Sequence, residues 1–140
     1  MTQRDKIDRK TGIRIGSWPS LVRRSGLVCV LVGDRIGDVA KVMTSANIGA
    51  VLVLRNDGIL AGIFTERDLL RWVGIGVVGD PLMEEVMTRD PWGISLEDDA
   101  QHVARSMLAR GFRHAVVFDG DRTPVGIVSM RDILAMILEE

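Results

Sequence analysis

The nine residues 62-GIFTERDLL-70 return, with substitutions, as 126-GIVSMRDIL-134. A glycine, an isoleucine, a hydroxyl residue, an Arg-Asp pair and a closing leucine keep their places 64 positions apart. No other feature of these 140 residues limits the fold as strongly, because an internal repeat makes the chain two copies of one unit. Shifted by 64, residues 39–70 align with 103–134 without a gap, and ten of the 32 pairs are identical. Val39/Val103, Met43/Met107, Val53/Val117, Asp57/Asp121 and Asp68/Asp132 are among them.

The two copies also share hydrophobic periodicity. Ile36, Val39, Ala40 and Met43 form the i, i+3, i+4, i+7 stripe of an amphipathic helix, and Ala100, Val103, Ala104 and Met107 repeat it. The short β-branched runs 50-AVLVL-54 and 115-AVVF-118 predict strands, and 55-RNDG-58 and 119-DGDR-122 predict turns. Second strands, 59-ILAGIF-64 and 125-VGIV-128, lead into helices 65-TERDLLRWV-73 and 129-SMRDILAMILEE-140. With leading strands in 27-LVCVLV-32 and 92-WGISL-96, each unit reads β-α-β-β-α. One such unit is too small to bury its apolar surface alone. The expected fold is therefore α/β of the α+β type, two tandem units related by pseudo-twofold symmetry with their sheets packed together. Residues 21–79 form the first unit, 80–140 the second, and 1–20 a basic arm read as a solvated, disordered tail. The linker 74-GIGVVGDP-81 supplies Gly74 as a helix C-cap, then Asp80 as N-cap and Pro81 as first residue of a short helix ending near Met87.

The repeated nine residues admit two uses. Thr65-x-x-Asp68 and Ser129-x-x-Asp132 fit capping boxes that open a helix, which requires no ligand. Gly62 and Gly126 then serve only close packing within a strand. Alternatively, the free N–H groups and positive dipole end of such a helix suit phosphate. The aspartate can accept hydrogen bonds from ribose hydroxyls, Arg67 and Arg131 can fork a phosphate, and the glycine can admit a flat base.

The frame Gly-Ile-x-Thr/Ser-x-Arg-Asp, closing a β-α-β-β-α unit and present twice, resembles the CBS domain pair, named after cystathionine β-synthase. The resemblance covers about residues 20 to 140. It implies clefts between two CBS motifs that hold adenosine compounds such as AMP, ADP, ATP or S-adenosylmethionine. It implies Thr65, Asp68, Ser129 and Asp132 as phosphate and ribose contacts. It further implies a homodimer, a disc of four motifs, that regulates a partner protein. In 111-GFRHAVV-117, Arg113 and His114 match the family's basic residues facing the phosphate, and Ser95 holds a polar position near the cleft. The first copy has Gly49, Ala50 and Leu31 at these three places. One competent site centred on the second copy is expected, with a weaker or empty one at the first.

Other function classes find less support. Cys29, the single cysteine, lies in an apolar strand and reads as a small buried hydrophobe of a reducing cytosol, which places the protein in the cytoplasm. Two histidines without clustered acids offer no recognisable metal spacing, so no enzyme and no covalent cofactor is expected. No apolar run is long enough to span a membrane. The formal charge of −1 divides unevenly, with seven basic and two acidic residues among the first 24. Nucleic-acid binding through that arm is one alternative to ligand sensing, and a structural dimerisation module with empty clefts is another. Trp18, Trp72 and Trp92 read as core or interface residues, Trp72 at a dimer contact.

Overall fold

The computed structural model describes residues 13–17, 27–76, 79–120 and 123–138. In chain order they form a 3-10 turn (Ile15–Ser17), β1 (Cys29–Leu31), α1 (Ile36–Ala46), β2 (Ala50–Leu54), β3 (Leu60–Thr65), α2 (Glu66–Gly74) and a short α3 (Met83–Val86). Then come β4 (Thr88–Arg89), β5 (Gly93–Ser95), α4 (Ala100–Arg110), β6 (His114–Phe118), β7 (Pro124–Ser129) and α5 (Met130–Leu138). Two compact units result: Leu27–Pro91 is one, and the described residues from Trp92 onward, together with 13–17, are the other.

The units share one internal topology. In the first sheet β1 runs parallel to β2, and β3 pairs antiparallel with both β2 and β4. In the second, β5 is parallel to β6, and β6 is antiparallel to β7. Register repeats to the residue. Cys29 opposes Leu52 as Gly93 opposes Val116, and Val53 opposes Gly62 as Val117 opposes Gly126. The same irregularity breaks both hairpins, between Val53 and Leu54 and between Val117 and Phe118.

The predicted stripes build the cores. Val39, Met43, Val51, Val53 and Phe64 are buried in the first unit, and Val103, Met107, Ala115, Val117 and Val128 in the second. Both first helices end on a left-handed residue, Asn47 (φ 53°) and Gly111 (φ 72°), which releases the chain into the next strand. The second helix ends differently from expectation. It runs through Gly74, and the positive φ falls two residues later at Gly76. Gly62 is needed for packing, since a Cβ there would collide with the Thr88 carbonyl of the neighbouring β4.

Two expectations are corrected, those for Cys29 and Asp80. Cys29 is exposed, because strand alternation gives the inward position of β1 to Val30. Its partial burial nevertheless pushes the thiol pKa up, which leaves it a poor nucleophile. Trp72 is half-buried against the first core. Asp80 does not cap α3; its Oδ1 accepts the Gly37 N–H of α1 at 2.8 Å. The residue at the N-cap of α1 is Arg35, which has no acceptor, so the cap comes from the linker. Arg35 in turn donates to the Asp80 carbonyl at 2.9 Å. The start of α3 is served by Glu85, which accepts from the Leu82 N–H at 2.9 Å.

Each unit is completed by a strap from elsewhere in the chain. In the first, the Ile36 N–H donates to the Pro81 carbonyl, the Met83 N–H to Asp34 and the Glu84 N–H to Val32. In the second, the Ala100 N–H donates to Ile13, the Ile15 N–H to Asp98 and the Gly16 N–H to Leu96. The acceptors and donors of the repeats match at a spacing of 64, and those of the straps at 68. Met83 and Ile15, equivalent under that second spacing, are each 0% exposed and plug the two cores. Arg14 thus lies in an ordered strap; the remaining basic residues of the arm, and Trp18, are outside the described residues.

Candidate ligand site at the strand–helix corners

Both hydroxyl–aspartate pairs form capping boxes. The Thr65 N–H donates to Asp68 Oδ2 at 3.0 Å, and the Asp68 N–H to Thr65 Oγ1 at 3.2 Å. The Ser129 N–H donates to Asp132 Oδ2 at 2.9 Å, and the Asp132 N–H to Ser129 Oγ at 3.1 Å. Each box contributes about 1 kcal/mol to its helix. The loop before each second strand occupies a further donor. Glu66 N–H bonds the Gly49 carbonyl at 2.8 Å, and Met130 N–H bonds the Arg113 carbonyl at 3.0 Å.

This changes the phosphate argument. Of the N–H groups from the N-cap to the third helical residue, only those of Arg67 and Arg131 lack a hydrogen bond within the described residues. A phosphate here must be held mainly by side chains. Both aspartates use only Oδ2 in the box, and among the described residues Oδ1 takes no hydrogen bond, which leaves it for an incoming hydroxyl.

The second unit gathers the right side chains. Arg113 is tied through its carbonyl to the first helical N–H of α5, and His114 lies directly opposite Ser129 in the β6–β7 ladder. Ser129, Arg131 and Asp132 complete the corner. The Arg113 and Arg131 side chains are exposed and make no ion pair or hydrogen bond among the described residues. Two arginines thus stand against one carboxylate, and phosphate is electrostatically favoured.

Ser95 is not brought to this corner. It pairs with Phe118, four residues along β6 from His114, or about 13 Å at the usual rise of a strand. Its N–H donates to Asp98 Oδ2 at 2.8 Å and its Oγ accepts the Glu97 N–H at 3.2 Å, which closes the turn into α4. Asp34 closes the corresponding turn of the first unit by accepting the Leu31 N–H at 2.8 Å.

The first unit's corner carries the opposite charge. Gly49 and Ala50 replace the basic pair, and Glu66 stands where the second unit has Met130. Arg67 is flanked in sequence by two carboxylates, Glu66 and Asp68. The Glu66 carboxylate lies so close to Gly49 that a Cβ added there would be 3.3 Å from Oε1. It also lines a groove of about 480 Å³ with Asn47, Gly49 and Leu69. An acid in the first turn already satisfies the positive helix end and repels a phosphate. Sequence reasoning passed over Glu66, although the difference between Thr-Glu-Arg-Asp and Ser-Met-Arg-Asp was visible.

Trp92 and Phe112 stack at 5.5 Å between centroids, with the Arg110 guanidinium 5.9 Å from the Trp92 ring. His102 is exposed on α4. Among the described residues, no cluster of His, Cys, Asp and Glu is placed to hold a metal ion, and no helix is long and apolar enough to cross a membrane.

Comparison with known proteins agrees with this architecture. The CBS domain family model matches residues 21–75 and 83–139. An uncharacterised 17.7 kDa protein of Acidianus ambivalens is 31% identical over 104 residues, which is 74% of this chain; the chain spans 63% of that relative's length. A CBS domain protein from Pyrobaculum aerophilum, crystallised with AMP, superposes with a TM-score of 0.74 over 91% of this chain and 99% of its own, at 21% identity. The CBS domain pair of protein MJ0100, in complex with 5′-methylthioadenosine and S-adenosyl-L-methionine, gives 0.70 over 83% of this chain and 98% of its own, at 26% identity.

Proposed function

The chain belongs to the CBS domain family, and from that premise we propose that it senses an adenosine nucleotide or derivative of the AMP, ADP, ATP and S-adenosylmethionine class. The ligand sits at the second corner: Arg113, His114 and Arg131 address phosphate, and Ser129 and Asp132 address ribose and phosphate. The observation that carries this reading is that Arg113 and Arg131, with no ion pair or side-chain hydrogen bond among the described residues, stand at one helix start with Asp132, whose Oδ1 takes no bond among them. The adenosine class draws on the ligands named for the two structural neighbours. Thr65, Arg67 and Asp68 form a weaker corner, because Glu66 opposes phosphate there.

Melting curves recorded with AMP, ADP, ATP, S-adenosylmethionine, NAD and cyclic dinucleotides test this. A ligand at 100 times its dissociation constant stabilises by about 2.7 kcal/mol, a shift of several degrees. Asp132→Ala should remove the shift and Asp68→Ala should alter it less. Equal losses would overturn the ranking of the corners, and no shift with any nucleotide would leave both boxes as simple caps.

The signal passes to a partner chain through a homodimer. Leu70 and Leu134, equivalent residues on α2 and α5, are 71% and 56% exposed, with Val73 and Leu138 exposed nearby. Matched apolar positions on equivalent helices suit self-association about a twofold axis. Light scattering should report a dimer for the natural protein and a monomer for the double variant Leu70→Asp, Leu134→Asp. A monomer in both would exclude this surface as the contact.

A further inference from the structure

The two straps bond to their repeats in the same register, yet they are not held alike. The linker strap, residues 80–84, supplies the cap of α1 through Asp80 and is locked by Arg35 on the Asp80 carbonyl. It continues through α3 into β4, which pairs with β3 at Gly62 and Ile63. Arg89 Nη2 adds a bond to the Glu84 carbonyl at 2.8 Å. This strap cannot leave without uncapping α1.

The N-terminal strap, residues 13–17, caps no helix among the described residues. The position of Arg35 is taken in the second unit by Asp99, whose Oδ1 accepts the Gln101 and His102 N–H groups at 2.8 and 3.2 Å. Helix α4 is therefore capped from within. Among the described residues, the strap is held by three backbone hydrogen bonds, the Ile15 plug with Ile13 packed on the same core, and one bond from Arg14 Nη1 to the Glu97 carbonyl at 3.1 Å. The buried Gln101 Oε1, one residue beyond the Ala100 N–H that the strap accepts, has no hydrogen-bond partner among the described residues.

We propose that residues 13–17 are a detachable latch on the second repeat, which opens locally while the linker strap stays closed. The latch reaches the ligand corner through one shared core. Ile15 packs in the cluster that contains Ile133 and Met136 of α5, the helix whose first turn carries Ser129 and Asp132. Release of the latch takes a wall from that helix, and a ligand that fixes the helix start favours the docked state. This coupling rests on the nucleotide reading above; the latch itself does not.

Native-state hydrogen exchange on the full chain tests both parts. Without ligand, the N–H groups of Ile15, Gly16 and Ala100 should exchange together, at least about tenfold faster than those of Ile36, Met83 and Glu84, which the linker strap protects. Equal rates, or exchange of the first set only on global unfolding, would overturn the latch. With saturating AMP the first set should slow and the second should not. A melting shift without slowed exchange would break the coupling and leave the nucleotide reading standing. Absence of a melting shift would remove that reading and the coupling with it, while the ligand-free rates still decide the latch.

Discussion

Ile15→Ala is expected to destabilise the second repeat by about 3 kcal/mol, although residue 15 precedes the first repeat in the chain. The side chain is fully buried among Ile94, Val103, Met107, Val128 and Ile133. Truncating a buried isoleucine to alanine removes transfer free energy and leaves a cavity, roughly 2–5 kcal/mol in all. Met83→Ala is the reciprocal experiment. Met83 stands in sequence just before the second repeat, yet it plugs the first core beside Val39, Val51 and Phe64. Its loss should weaken Leu27–Pro91 by a similar amount. Amide exchange resolved by residue separates the two. Ile15→Ala should raise exchange at Val103, Val116 and Val117 and leave Val39, Val51 and Val53 unaffected, and Met83→Ala should do the reverse. If each variant loosened the repeat that follows it in the chain, the assignment of the straps would be wrong.

Arg113→Ala is expected to weaken AMP binding by about 10- to 150-fold, the value of a charge-assisted hydrogen bond of roughly 1.5–3 kcal/mol. The fold should survive, since the guanidinium is exposed and the backbone carbonyl that holds the Met130 N–H is kept. Adenosine is the control. Without a phosphate it gains nothing from Arg113, so its affinity should be equal in the two proteins. Calorimetry with both ligands checks this. A parallel loss for adenosine would mean that Arg113 shapes the corner and does not contact phosphate. In the first corner, Glu66→Met should improve AMP affinity there by removing the acid from the helix start.

Much of this was legible because the repeat preserves both periodicities. The helical stripes at Val39/Met43 and Val103/Met107, and the strands 50–54 and 114–118, have one structure each that fits them. The capping boxes at Thr65/Asp68 and Ser129/Asp132 were equally plain, since the hydroxyl and the acid sit at the spacing a helix start demands. The straps were hidden for a geometric reason. They repeat at 68 while the cores repeat at 64, so an alignment in the main register sets Ile15 and Met83 against unrelated residues. Asp80 misled because a local N-cap and a cap lent to another helix look identical in sequence; only the acceptor-poor Arg35 hinted at the loan. Asp34 and Asp98 are identical across the repeat but lie upstream of its readable stretch. Ser95, expected by resemblance near the base and not at the phosphate corner, is set by the parallel pairing of β5 with β6 at the other end of the sheet from Ser129.

A crystal structure of the protein soaked with AMP tests the central claim most directly. The phosphate should lie against Arg113 and Arg131, with a ribose hydroxyl on Asp132 Oδ1 and the corner at Asp68 less occupied. Density showing solvent alone at Ser129 and Asp132, both still bonded only within their own capping box, would contradict the account.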